Sequence, residues 1–498
     1  MVTCDLLIIG GGINGTAIAR DATGRGLSVV LCEKDDLARH TSSASTKLIH
    51  GGLRYLEYYE FRLVREALIE REVLLRSAPH IIWPMRFVLP YDKGLRPAWM
   101  LRLGLLLYDN LGGRELLPGT QSVDLREPPH AGVLEDRLKT GFEYSDCWVE
   151  DARLVVANAL DAHHRGADIR VGLEVVSLEA ADGGYKAQLS DGSVVRARGV
   201  VNAAGPWVDE VLFKIKQGRN DAGLRLVKGS HIVTKRLFPG DHAYIFQNAD
   251  DRIVFAIPYE RDYTLIGTTD VPWETDPGPM EISAEEVDYL CEAASEYFAR
   301  DIASADVVWS YAGVRPLYDD KSENASAVTR DYVLDIDELS GARPVLSIYG
   351  GKITTSRKLA EHAMDKLADY YPEAGDGWTA DAQLPGGDIV LSEGPADDFD
   401  SFLHAQAARY PGVPGDVLLH LCRAYGTRIT LVLGDGPEVD LGRHFGAQLH
   451  EAEVRYLLAH EWARTADDIL FRRTKQGLHL TEAQRAAFAD WLAEVNGP

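Results

Sequence analysis

The sequence predicts an α/β chain, α+β overall, with a parallel nucleotide-binding unit, an antiparallel-sheet unit and a helical tail. Three observations predict it. An apolar run, Asp5-Leu6-Leu7-Ile8-Ile9, enters the glycine turn Gly10-Gly11-Gly12-Ile13-Asn14-Gly15. Strand-like segments separated by turn residues occupy 213–315, and apolar stripes at helical spacing recur after 388.

The first element reads as strand, turn, helix and second strand, ending at Val29-Val30-Leu31-Cys32-Glu33. Gly10 permits the turn, Gly12 lets backbone approach a pyrophosphate, and Gly15 lets helix and strand pack closely. The helix amino terminus then faces the negative charge. Glu33, about 20 residues on, accepts ribose hydroxyls and repels a 2'-phosphate. Small residues Ala17, Ala19 and Ala22 suit the helix that follows.

Next come the hydroxyl-rich loop Thr41-Ser42-Ser43-Ala44-Ser45-Thr46 and the segment His50-Gly51-Gly52-Leu53-Arg54-Tyr55, then a long helical pattern through Glu70 and Leu75. Pro, Gly and aromatic residues enrich 86–149, which suits an insertion. A second strand entering a glycine turn spans Gly199 to Ala204-Gly205, and a third is Val345–Tyr349 before Gly350-Gly351-Lys352-Ile353-Thr354. Segments His231–Thr234, Arg252–Ile257 and Tyr263–Thr268 read as antiparallel strands. In the tail, Val454, Leu457, Leu458 and Trp462 share one helical stripe, and Phe488, Trp491, Leu492 and Val495 form another after a Thr481–Gln484 capping box. The domains expected are a discontinuous nucleotide-binding unit (1–85, 150–212 and 316–387), a substrate unit (86–149 and 213–315) and a helical unit (388–498).

The 498 residues are 46% hydrophobic and 26% charged, the balance of a folded enzyme, and carry a net charge of -24. That acidity opposes binding to nucleic acid and anionic lipid, so membrane contact must be local. Five scattered cysteines with no CxxC spacing suggest neither disulfides nor a zinc site, and no metal is expected. The first strand begins too near Met1 to leave room for a secretory leader, and no run of about 18 apolar residues occurs, so a cytoplasmic location without a spanning helix is expected. The segment Leu95–Tyr108 mixes apolar residues, aromatics and arginines, and is a candidate for lying in a headgroup layer, with Leu105 as its test position.

One GxGxxG argues for one permanently bound nucleotide. The pairs Gly51-Gly52 and Gly350-Gly351 allow backbone to lie against a flat ring, and a helix starting near Thr354 can aim N–H groups at flavin O2. FAD, held non-covalently, is the economical choice.

The segments SSASTKLIHGGLRYLE, GFEYSDCWVEDARLV, VVNAAGPWV, KGSHIV, LIGTTDV, YAGVRPL, AVTRDYVLD and IYGGKITTSRKLAEHA resemble the FAD-dependent, aerobic sn-glycerol-3-phosphate dehydrogenase family over nearly the whole chain. Two departures are Ser356, where an aromatic residue is expected, and Ala204, where Thr is common. The resemblance implies a Rossmann-like FAD domain of the D-amino-acid-oxidase or glycine-oxidase type. It implies oxidation of glycerol 3-phosphate to dihydroxyacetone phosphate, with electrons passed to a membrane quinone and peripheral attachment to the inner face of the cell membrane. It also implies flavin contacts from Ile13, Asn14, Thr41, Ser42, Ser45, Thr46, Leu53, Ala204, Gly205, Gly351, Lys352, Ile353 and Thr354.

Arginine suits the phosphate end because its planar fork donates two hydrogen bonds. By resemblance Arg54 and Arg330 hold phosphate, Arg315 stabilises developing oxyanion charge, and Tyr55 completes the pocket. Three residues compete as base: His231, whose ordinary pKa lies near neutrality, His50 and Lys352. Asp270 orients a base or a substrate hydroxyl, or caps a turn. The rivals are a glycerol-3-phosphate oxidase using O2 and an FAD-dependent amine or amino acid oxidase. The compact interval between Arg315 and Lys352 favours the dehydrogenase over the first. The need to hold a dianion argues against the second. A homodimer is left open.

Overall fold

The computed structural model describes residues 1–92, 97–181, 183–215, 223–250, 252–318, 331–339, 343–389 and 395–496. Arg330 lies outside them, as do Leu95 and Arg96 of the segment considered for lipid contact.

Leu6 to Ile8 is fully buried because the first strand, Val2–Ile9, sits in the middle of a sheet covered on both faces. Along this sheet the strands run Val333–Leu339, Arg343–Tyr349, Val194–Asn202, Val2–Ile9, Val29–Glu33 and Asp168–Val171. All neighbours are parallel except the first pair, and an antiparallel hairpin, Val175–Ala181 and Gly184–Leu189, extends from Val194–Asn202. Helices Ile13–Gly24, Asp151–His164 and Ser356–Lys366 pack together on one face. Ala17, Ala19 and Ala22 are buried there, as the close approach of helices requires.

A second sheet runs Val271–Trp273, Leu224–Lys235, Tyr263–Gly267, Ile253–Tyr259, Ala243–Gln247, Ile82–Tyr91, Thr140–Val149 and Leu48–Ile49, with Val307–Tyr318 added to Leu224–Lys235. Pairings among its strands between 224 and 318 are antiparallel as expected, whereas Ala243–Gln247 meets Ile82–Tyr91 in parallel. Leu48–Ile49 carries the chain from the hydroxyl-rich loop straight into this sheet. A cavity lined by residues of the second sheet and by the loop after Arg343–Tyr349 lies where the two sheets meet.

Helix Ala98–Leu111 occupies the segment considered for lipid contact, and Leu105 and Tyr108 point into the core between the helix and the second sheet. Leu105 is thus a packing residue and not a test of surface contact; the exposed face is Trp99, Met100, Leu103, Leu106 and Leu107. No helix among the described residues is long and apolar enough to cross a membrane.

The tail packs helices Pro395–Arg409, Gly415–Tyr425, Glu451–His460 and Glu482–Asn496 around Leu421, Leu457, Ile469 and Phe488. The Thr481–Gln484 box forms: the Gln484 N–H donates to Thr481 Oγ1 at 3.3 Å and the Thr481 N–H to Gln484 Oε1 at 2.9 Å. Trp462 departs from the expected stripe. It lies past the end of helix Glu451–His460 at φ 55, and its ring packs on His163 and the core of the first sheet unit, not on the core of the tail.

Candidate active site

Two glycines create the nucleotide end of the site. A Cβ on Gly10, whose φ is +113, would lie 2.4 Å from the Ala203 carbonyl oxygen, and one on Gly15 would lie 2.0 Å from the Gly10 oxygen. Only hydrogen fits at either position, so the helix seats against the strand end. Gly12 instead opens onto the groove, where its nearest neighbour is Ser42 Oγ. Ser42 Oγ also accepts the Ile13 N–H at 3.0 Å and so caps the helix across the loop.

Glu33 is buried at the end of its strand, and burial raises its pKa while backbone N–H groups of Asp35 and Gly11 oppose the rise. Each carboxylate oxygen accepts one of them, at 2.8 and 2.7 Å. The residue therefore braces the glycine turn, a role unforeseen from sequence, and also lines the groove. This groove, of about 150 Å³, is lined by Gly10, Gly12, Ile13, Asn14, Glu33, Ala204 and Gly205.

The groove opens at Ile13, Thr41, Ser42 and Gly350-Gly351 into a cavity of about 580 Å³. Gly350 and Gly351 adopt φ of +74 and +94, and Asn14 Nδ2 donates to the Gly350 oxygen at 3.1 Å. Asn14 Oδ1 is buried without a partner. Opposite, Gly52 at φ +73 begins the turn Leu53–Tyr58 that presents Arg54 and Tyr55. Gly51 N–H donates to Tyr108 Oη at 2.8 Å, and that hydroxyl donates to Asp146, also at 2.8 Å. Gly15, Gly51, Gly52 and Leu53, expected at the cofactor, line neither the groove nor the cavity. The His50 N–H donates to Thr354 Oγ1 at 3.2 Å, joining the two glycine-pair loops.

The cavity brings together His50, Arg54, Tyr55, His231, Asp270, Arg315, Lys352, Ile353 and Thr354 with Thr41, Ser42, Ser45 and Thr46. The Lys352 ammonium lies 3.8 Å from the centroid of the Tyr55 ring. Arg315 donates to the Thr269 carbonyl at 2.9 Å and pairs with Asp270. His231 is stacked on Tyr311 with centroids 4.8 Å apart; its Nε2 meets Thr46 Oγ1 at 3.0 Å, and Nδ1 is buried without a partner. The near-neutral pKa expected of His231 is not what its surroundings produce. Burial, then the charges of Lys47 and Arg315, push it down to about 3. His50 falls to about 4 through burial and the neighbouring cations Lys352 and Arg71. Ser45 is turned to structural use: its hydroxyl donates to Asp151 at 2.8 Å, beside the buried Lys47–Asp151 pair.

Other lining residues escaped the sequence reading: Asp250, Arg252, Thr268, Gly313 and Pro316. Behind the lining stands Glu286. Its Oε1 accepts from Ser230 Oγ at 2.8 Å and Thr269 Oγ1 at 2.7 Å, and its Oε2 pairs with Lys228 Nζ at 2.7 Å. Burial alone would raise the Glu286 pKa, but hydrogen bonds from Lys228, Ser283, Thr269 and Ser230 bring it below the ordinary value. The signal for it was the Ser283-x-x-Glu286 spacing, a capping box that forms at helix Ala284–Ser295. That motif announces a helix start, not a support for His231 and Asp270.

The residues fit a flavin dinucleotide: an open backbone at Gly12 and Gly205, an unpartnered Asn14 Oδ1 beside the glycine turn, and a larger chamber walled by Gly350-Gly351. Comparison with known proteins agrees. Residues 5–357 match the model of the FAD dependent oxidoreductase family, and 378–495 match the C-terminal domain of alpha-glycerophosphate oxidase. The chain is 53% identical to D-erythritol 1-phosphate dehydrogenase of Brucella abortus, covering 99% of this chain and 98% of that one. It is 50% identical to aerobic glycerol-3-phosphate dehydrogenase of Escherichia coli with the same coverage. Its fold matches a crystal structure of glycerol-3-phosphate dehydrogenase from Bacillus halodurans complexed with FAD, with a TM-score of 0.73, 28% identity, and 99% and 94% of the two chains covered. The chain therefore belongs to the FAD-dependent glycerol-3-phosphate dehydrogenase family of FAD-dependent oxidoreductases.

Proposed function

We propose that this enzyme oxidises the secondary alcohol of glycerol 3-phosphate to dihydroxyacetone phosphate and passes the electrons to a membrane quinone. The observation that carries the reading is the cavity itself, which gathers Arg54, Arg252, Arg315 and Lys352 around a chamber continuous with the nucleotide groove. A protein of net charge -24 repels a dianion, and although Asp250 and Asp270 oppose two of these four cations, the cavity keeps an excess of positive charge that suits an anion.

FAD, when bound, supplies the two-electron acceptor. Arg54 holds the phosphate with forked hydrogen bonds, and Arg330 joins it by family resemblance. Arg315, fixed by Asp270 and the Thr269 carbonyl, stabilises charge growing on the substrate oxygen. Lys352, held over Tyr55, supports the same oxygen. His231 lines the chamber and is kept neutral by burial and by Lys47 and Arg315, so it accepts the hydroxyl proton; the dianion brought beside it raises its basicity toward that task.

Quinone as acceptor requires access to lipid. The exposed apolar face of Ala98–Leu111, led by Trp99 at 68% and Leu106 at 60% exposure, supports peripheral attachment at the inner face of the cell membrane. A second substrate reading, a four-carbon polyol phosphate, is favoured by the 53% identity to the erythritol 1-phosphate enzyme. Steady-state comparison of kcat/KM for glycerol 3-phosphate and erythritol 1-phosphate, with a soluble quinone analogue and then with O2, tests the whole reading. Preference for the three-carbon substrate and the quinone supports it; a reversed preference for either overturns that part.

A further inference from the structure

The tail after residue 395 packs its own core, yet it sends a cluster of buried charges back toward the amino-terminal unit. The segment Asp468–Arg473 is a wide helical turn whose last two residues both reach Asp36. Arg472 Nε lies 2.8 Å from Asp36 Oδ2, and Arg473 donates to the two Asp36 oxygens at 2.9 and 2.8 Å. All three side chains are buried. Two residues on, Lys475 pairs with Glu150, next to the Asp151 that binds Lys47 and Ser45.

The Asp36 contact holds one end of a loop directly, whereas Lys475 reaches the other end, Lys47, only through Glu150 and its chain neighbour Asp151. Asp36 lies just past Glu33, and Lys47 lies just past Thr46. Between them the loop carries Thr41 and Ser42 on the nucleotide groove and Thr46 against His231. We infer that the tail acts as a clasp that sets the Asp36–Lys47 loop for FAD, so that Asp36, Arg473 and Lys475 are positioning residues for a cofactor they do not touch. Burying these charges is expensive unless every partner is kept, and removing one leaves an uncompensated charge that displaces the loop. Docking of the tail alone would need only apolar surface.

This inference rests on placing FAD along the groove that begins at Gly12. Full-length apoprotein is titrated with FAD by flavin fluorescence for wild type, Asp36→Asn, Arg473→Lys, the double variant, Lys475→Met and Gly12→Leu. Each clasp variant is expected to raise the FAD Kd by about tenfold or more, with the Asp36 and Arg473 effects non-additive because both act through the Asp36–Arg473 pair, which Asp36 shares with Arg472. Gly12→Leu should abolish binding. If the Asp36 or Arg473 variants fail to fold, Lys475→Met tests the other end of the loop. A Kd within twofold of wild type in folded clasp variants, with only the melting temperature of the apoprotein lowered, would make the clasp a tail-docking contact and overturn the inference. Unchanged FAD binding in Gly12→Leu would overturn the groove assignment and the inference with it.

Discussion

Arg315 shows what a single residue contributes here. One of its nitrogens is committed to Thr269 and Asp270, which fixes the guanidinium and leaves its other donors toward the cavity. Removing a preorganised donor of this kind costs transition-state stabilisation more than binding. Arg315→Ala should lower kcat/KM by about 10²–10³-fold while the protein keeps its flavin absorbance. Equal loss of FAD would contradict the role. His231 behaves differently from a free histidine, since Lys47 and Arg315 add to the effect of burial. The identity of such residues was legible, because His231, Arg315 and Lys352 each sit within family-like segments. The protonation state of His231 was not, because the cations that lower its pKa, Lys47 and Arg315, come from distant parts of the chain.

Elements carry the next layer of explanation. Helix Ala284–Ser295 contributes its first turn to the site: Glu286 ties down Ser230 and Thr269, the neighbours of His231 and Asp270. Glu286→Gln leaves the buried Lys228 without its counter-charge, so the substrate KM should rise about tenfold, with FAD content unchanged. A change in kcat alone would place Glu286 outside substrate positioning. Helix Ala98–Leu111 separates two roles on its two faces. Leu106→Asp should reduce binding to liposomes with little effect on the melting temperature, whereas Leu105→Asp should destabilise the fold by about 3 kcal/mol or more. Equal vesicle binding by wild type and Leu106→Asp would remove this face as the attachment surface. The strand-glycine-helix units were readable because each is local, a run of apolar residues followed by glycines within a few positions. The Asp36 clasp was not, because Arg472 and Arg473 lie 436 and 437 residues away and nothing near them in sequence marks a loop partner.

At the scale of the molecule, buried neutral histidines couple folding to pH. Burial lowers His80 and His231 to about 3 and His50 and His242 to about 4. Their unfolded pKa is near 6.5, so below that value the unfolded chain takes up protons that the folded one refuses. Stability is therefore fully present above about pH 6.5 and is lost as pH falls toward 4, by up to about 1.4 kcal/mol per pH unit for each histidine. Urea midpoints at pH 7.5 and 5 measure this loss, and equal midpoints would contradict it. The molecule otherwise unites a groove shared by the first glycine turn and the Ala203–Trp207 turn with a chamber completed by a second sheet and by residues near 350. The central claim is that a phosphorylated polyol held in that chamber reduces a flavin held in the groove. Anaerobic titration of the yellow protein with glycerol 3-phosphate and, separately, with glycerol tests it most directly. Bleaching of the flavin band by the phosphate ester and not by glycerol is predicted, and a band indifferent to both would contradict the account.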